Sequence, residues 1–216
     1  GRLQSAQDEI RAGLAVAGPT PDLSRARGVL FLLQQGGAKA GLAHLLEATQ
    51  ADPGLMFCRG PLSEAHRLLA TQALAREDAQ AALAHAREGL ALEPDNADLR
   101  LLCADALVAA GNFDEGLPAY EELARGGREL GASLRLYYQK GATAALVEKR
   151  ADVAMQRYLR ARQLGATNEE LGFGAEVLKR AVAAAQAAAD RACEEQRYFD
   201  ARAELEKLLV IELLDL

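Results

Sequence analysis

Tryptophan is absent from this 216-residue chain and aromatic residues make up only 5% of it, so a core has to be built from alanine and leucine. Small side chains of that kind allow close helix approach in antiparallel pairs. Period-2 alternation of apolar and polar residues is also missing, which leaves an all-α chain as the expectation. The three cysteines, Cys58, Cys103 and Cys193, show neither metal-type spacing nor an even disulfide framework. Cys103 reads as a small, buried apolar thiol. No apolar run is long enough to span a bilayer; the alanine-rich stretch Ala181–Ala189 is interrupted by Gln186 and followed by Asp190 and Arg191. Positive charge is in deficit: a net charge of −6 and a pI near 5.2 argue against a nucleic-acid backbone as principal partner. Arg157, Arg160 and Arg162 lie close together and either solvate one helix face or form a local basic patch.

Catalytic patterns are lacking too. His44, His66 and His85 are far apart in sequence, with no His-x-x-x-His pair and no flanking carboxylates of zinc-ligand type. Gly172-Phe173-Gly174 is a lone Gly-x-Gly in a helical context, without the preceding strand that a dinucleotide fingerprint needs. There is no Gly-x-Ser-x-Gly elbow and no phosphate-cradling loop ending in Gly-Lys-Ser/Thr. The expectation is a binding protein and not an enzyme, with no cofactor and no metal.

What the chain does have is a repeat of 34 residues. With one frame opening at Ser63 and the next at Ala97, Ala70 falls on Ala104, Ala82 on Gly116, Ala86 on Tyr120 and Leu92 on Gly126. A period of this size signals stacked supersecondary units, and stacked units build surfaces. Asp78–Leu92 places apolar residues at helical spacing, and the chain is rich in strong helix formers. Glycine and proline gather at the seams: Gly36-Gly37, Pro53-Gly54, Gly60-Pro61, Pro94, Gly111, Gly126-Gly127 and Gly165. Asp114 is the candidate N-cap of the helix that carries Pro118 about one turn inside it. Further frames open at Asp22, Arg135 and Val182 once Gly131–Leu134 and Glu169–Ala181 are treated as insertions. The longer insertion is either a lengthened first helix, overhanging its neighbours and closing one end of the groove, or a non-repeat connector.

The pattern resembles the tetratricopeptide repeat family over residues 22–215. The frame from Ala97 supplies Ala104, Gly111, Phe113, Gly116 and Tyr120; that from Ser63 supplies Ala70, Ala82, Gly89 and Pro94. The frame from Arg135 supplies Ala142, Ala151, Ala154, Tyr158 and Ala161, and that from Asp22 supplies Gly36, Gly41, Leu45, Ala48 and Pro53. The frame from Val182 supplies Ala189, Tyr198, Ala201 and Leu205. Leu123 and Leu208 depart from the family's small residue, as does Val29 at the eighth position of its frame. The resemblance implies an all-α, right-handed solenoid of helix–turn–helix repeats near 22–55, 63–96, 97–130, 135–168 and 182–215. Residues 1–21 would then form an N-terminal helix or partial repeat.

It also implies a concave groove lined by the first helix of each pair. Carried onto this chain, the lining is Glu64, Arg67, Thr71, Leu74, Asp98, Leu101, Asp105, Val108, Gln139, Lys140, Thr143 and Leu146. Such a face suits an extended or helical peptide. The family's carboxylate clamp needs lysine and asparagine at the fifth and ninth positions. Arg67 and Thr71, then Leu101 and Asp105, stand there instead, so a neutral-to-basic peptide is the expected ligand of a scaffold or adaptor. Alternatives are self-assembly through Leu208, Leu209, Ile211, Leu213 and Leu214, or a sensory segment of a larger protein. The chain opens on Gly1 without a secretory signal, as a processed fragment would. With its cysteine usage this gives a cytoplasmic expectation, periplasmic if a signal segment was removed.

Overall fold

The computed structural model describes residues 2–195, 197–200 and 202–203, and among these it is all helix and turn. In chain order the helices are α1 (Arg2–Ala17), α2 (Pro21–Leu32), α3 (Ala38–Ala51), α4 (Arg59–Ala75), α5 (Ala79–Leu92) and α6 (Ala97–Ala109). They continue with α7 (Phe113–Arg125), α8 (Gly131–Val147), α9 (Ala151–Gln163), α10 (Asn168–Leu171) and α11 (Phe173–Glu194). Contacts divide the chain into two compact units, Gly1–Ala119 and Tyr120–Leu216, with the division inside α7.

In the first unit, α2 pairs with α3 and α4 with α5, and each first helix also lies beside the first helix of the neighbouring pair: α2 beside α4, α4 beside α6. The crossings fall where the repeat demands small residues. Ala70 and Ala104 at the eighth position, and Ala82 at the twentieth, are fully buried. Gly116 takes the twentieth position in α7, where an added Cβ would lie 2.8 Å from Val108 Cγ2. In the α2/α3 pair the role of the eighth residue shifts to Gly28, one place before Val29. A Cβ on Gly28 would meet Leu45 Cγ at 2.6 Å, and one on Gly41 would meet Leu32 Cδ2 at the same distance. The core here is Leu45, Cys58, Leu62 and Ala65, with Ala73, Ala82 and Ala106 in the next layer. Close-packed alanines leave no slack for even one added methyl.

In the second unit, α8 pairs with α9, and α11 packs on both. Ala142, Ala154 and Ala161 are fully buried, with Tyr158 and Leu178 beside them. The four residues Gly131–Leu134 are the first turn of α8, so that insertion lengthens a helix. The longer insertion does the same with one break. Gly172, at φ 52°, ends α10, and α11 runs 22 residues to Glu194. Gly174 then sits under the ring of Tyr158, where a Cβ would collide. Both glycines of the Gly-x-Gly are thus accounted for by chain direction and packing.

Each turn within a pair is built alike. Gly36, Glu77, Gly111 and Lys149 all have φ between 61° and 79° and occupy the fifteenth position of their frames. In three of them the amides close a Schellman motif: Asp78 donates to Ala73 O, Asn112 to Leu107 O and Arg150 to Ala145 O, at 2.9, 2.9 and 2.8 Å. The following residue caps the second helix. Asp78 accepts from the Ala81 amide at 3.0 Å and Asn112 from the Glu115 amide at 3.3 Å. The N-cap of α7 is therefore Asn112 and not Asp114, which lies inside the first turn; the Schellman hydrogen bond fixes the start one residue before Phe113. Arg150 stands at the matching place before α9 and provides no side-chain cap.

The turn and the cap after it can be tested by three substitutions. At Gly111 a Cβ would meet nothing within 4 Å, so Gly111→Ala isolates the conformational cost of positive φ and should destabilise by about 1 kcal/mol. Glu77→Gly should stabilise by up to about 1 kcal/mol, because glutamate already bears that cost. Urea titration measures both, and a neutral Gly111→Ala would contradict the assignment. Arg150→Asp supplies the absent cap of α9 and should raise stability by about 1 kcal/mol, read as an increase in denaturation midpoint at unchanged slope.

Candidate functional site

In the first unit, α4 carries Glu64, Arg67, Thr71 and Leu74, and α6 carries Asp98, Leu101 and Asp105. Glu64 and Arg67 form a bidentate pair, with Nε–Oε2 at 2.6 Å and Nη2–Oε1 at 2.7 Å. That hydrogen-bonded pairing holds Arg67 in its charged form, and the carboxylate of Asp98 on α6 adds to the effect. The one strong cation among these residues is therefore already countered from both helices. Thr71 and Leu74 are exposed and half-buried respectively, and Leu101 is half-buried.

Asp105 is the most unusual of these groups. It is half-buried, and burial pushes its carboxyl above the usual carboxylate range. Removing a carboxylate from water disfavours its charged form. Val108 departs from the expected lining: it is only 8% exposed, and its Cγ2 lies against Gly116 in the α6/α7 crossing. The close approach of α7 at a glycine draws it inward.

In the second unit, α8 carries Gln139, Lys140, Thr143 and Leu146; Lys140 and Thr143 are exposed, Gln139 and Leu146 half-buried. The two threonines at the ninth position behave alike. Thr71 Oγ1 donates to Arg67 O, and Thr143 Oγ1 to Gln139 O, each at 3.0 Å. Both hydroxyls are turned back onto their own helix. Thr143 Oγ1 also lies 3.2 Å from the Tyr158 hydroxyl.

The three arginines of α9 are not a solvated basic face. Arg157 is buried and donates to Gly141 O at 2.8 Å. Arg162 is half-buried and donates to Ala166 O, and Arg160 is bound to Glu121 at 2.7 Å. Glu121 also accepts from Tyr138 Oη at 2.9 Å. Burial, then the neighbouring carboxylate, pushes the Tyr138 hydroxyl up to about 12. Backbone carbonyls and a distant glutamate absorb the charge that sequence spacing alone suggested was free.

Sequence reading also missed a pairing of rings. His66 on α4 and His85 on α5 bring their Nδ1 atoms to 3.3 Å, with ring centroids 5.4 Å apart. The signal was present in the frame, since residues four and twenty-three of one helix pair stand opposite each other. Leu208, Leu209, Ile211, Leu213 and Leu214, like Ala201 and Leu205, lie outside the described residues. No described helix is long and apolar enough to cross a membrane.

Comparison with known families gives one match. Residues 73–129, from the last turn of α4 through α7, match the model of the tetratricopeptide repeat family. The repeat resemblance is thereby shown for this stretch, and the consecutive helix pairs on either side fit the same all-α repeat fold. Repeats of this family are generally modules for protein–protein interaction and typically not enzymes. Among curated proteins, none matches the chain.

The state of Asp105 sets a pH dependence. Its folded-state affinity for a proton exceeds the unfolded one, so stability is fully present below about pH 4 and falls as pH rises through the folded value. Asp105→Asn removes that loss. Its stabilising effect relative to the parent should grow from about pH 4 to about pH 7 in thermal melts. A difference that is constant or shrinks over that range would show that burial is not what governs this carboxyl.

Proposed function

We propose that the tetratricopeptide repeats of this chain form a scaffold or adaptor that docks a neutral-to-basic peptide, or a helix of a partner, on the face of its first helices. The observation that carries this reading is the acidic bias of α6. Asp98 acts on the charge of Arg67, which Glu64 already holds, and Asp105 follows Asp98 two turns along α6. The stretch lies within, or directly beside, the segment that matches the family. Leu74 and Leu101 supply apolar ground between the charges, as peptide-binding grooves require. In the second unit, taken by itself, Gln139, Lys140 and Thr143 are the candidate lining positions of α8, with Lys140 a basic point.

A clamp for an acidic C-terminus does not fit these positions. The ninth-position threonines hydrogen-bond their own helix, and the α6 residues at the clamp positions are an apolar side chain and a carboxylate. A carboxylate ligand would be repelled there, whereas a lysine- or arginine-bearing segment would be drawn in.

Fluorescence polarisation with labelled peptides graded from acidic to basic tests the proposal. Basic members should bind best, and more weakly as salt rises. The double reversal Asp98→Lys/Asp105→Lys should weaken them by roughly tenfold and invert the charge preference. Unchanged binding in that variant, with its helical circular dichroism intact, would overturn the groove assignment.

A further inference from the structure

We propose that His66 and His85 form an acid-sensitive latch across the α4/α5 hairpin, closed while the two rings share one hydrogen and released when both are protonated. Their Nδ1 atoms stand 3.3 Å apart, one on each helix of the pair. At that distance one ring donates its Nδ1 hydrogen and the other accepts it on a lone pair. A first proton leaves this arrangement intact, because an imidazolium still donates to a neutral partner and the bond gains charge assistance. A second proton removes the acceptor. Two N–H groups and two positive charges then face each other across 3.3 Å, and the contact has to open. The pair therefore takes up its protons in two separated steps.

The packing leaves the rings little room to part. Ala65 beside His66 and Ala86 beside His85 are fully buried. Gly89, one turn beyond His85, brings α5 so close that a Cβ there would stand 3.4 Å from His66 Cβ. Both histidines are half-buried, so protons reach them from solvent while the rings stay partly withdrawn from it. Burial, and then the facing His85, lower the proton affinity of His66, and Glu88 of α5 opposes them. Among the described residues, α2, α3 and α6 bring no charged group that acts on His66; Asp98 of α6 acts on Arg67 instead. The folded chain thus holds this proton more weakly than the unfolded one. The stabilisation is complete above about pH 7 and is lost as pH falls below about 6.5 towards the folded value. Asp105 works in the opposite sense over an overlapping range, so the two are separated by substitution. Because α4 also carries Glu64, Arg67, Thr71 and Leu74, acid would loosen a helix of the proposed docking face; the latch itself does not rest on that reading.

Urea titrations of the full chain between about pH 7.5 and about pH 5 test this. Over that range the folding constant of the parent should fall by several-fold to about tenfold more than that of His66→Gln or His85→Gln. Each variant leaves a single imidazole beside an amide that can either donate or accept. Glu88→Gln, at an exposed residue, should deepen the loss, because the carboxylate that favours a charged His66 is gone. Nuclear magnetic resonance of the unsubstituted chain reads the two steps directly, even where a histidine variant fails to fold. One imidazole of the pair should titrate while the other stays neutral until a lower pH. Equal acid loss in the parent and both histidine variants, a shallower loss in Glu88→Gln, or two imidazoles that protonate together in the folded chain would overturn the latch.

Discussion

The fold depends on how closely paired helices can approach where they cross. At Ala70, Ala82, Ala104, Ala142 and Ala154 nothing larger than a methyl separates the backbones, and each of these residues is fully buried. At Gly28, Gly41 and Gly116 even a methyl would collide with a neighbouring side chain. The apolar area buried per residue is small at such points, so stabilisation comes from dense contact over many of them. With no tryptophan and few aromatics to wedge the helices apart, this is the arrangement the composition permits. The exposed side of each first helix follows from it, because closing the crossing fixes which residues are left outward.

A second constraint sets register. The left-handed residue at the fifteenth position turns the chain back at one place in each of four pairs, and in two of them the next residue, Asp78 or Asn112, caps the second helix. Glycine satisfies that position twice, and glutamate and lysine satisfy it twice at a conformational cost. Between the repeats that open at Ser63 and Ala97, the joint is polar: Glu93 accepts from Ser63 Oγ at 2.8 Å and from Asn96 Nδ2 at 2.9 Å, while Asn96 itself caps α6. Those two hydrogen bonds, that of Asn96 foremost, hold the Glu93 carboxyl below its ordinary range.

Much of this was legible in the sequence because it rests on residue size and backbone freedom. The spacing of Ala70, Ala104 and Ala142 marks the crossings, and Gly36 and Gly111 mark the turns. Legibility ended where a partner leaves no pattern of its own. Arg157 reads as a surface charge because the group that receives it is the Gly141 carbonyl, which any residue would provide. Asp114 reads as a cap because aspartate suits that role, yet Asn112 holds it through a hydrogen bond that only the preceding turn defines. His66 and His85 are nineteen residues apart, and only the hairpin brings them together. Of the candidate groove, the residue types were readable from the repeat register; the inward placement of Val108 and the back-turned threonines were not.

The two units are held by different chemistry. In the first, the layers are aliphatic, with Leu45, Cys58, Leu62 and Ala65 sharing the load. In the second, single polar anchors reach across: the guanidinium of Arg157 to a carbonyl, and Glu121 to both a phenol and a guanidinium. Aliphatic layers degrade gradually as side chains are trimmed, whereas a buried guanidinium or a shared carboxylate has no near substitute. Loss of side-chain volume would thus be absorbed in small steps in the aliphatic layers before residue 119 and felt at once at a few polar side chains beyond it.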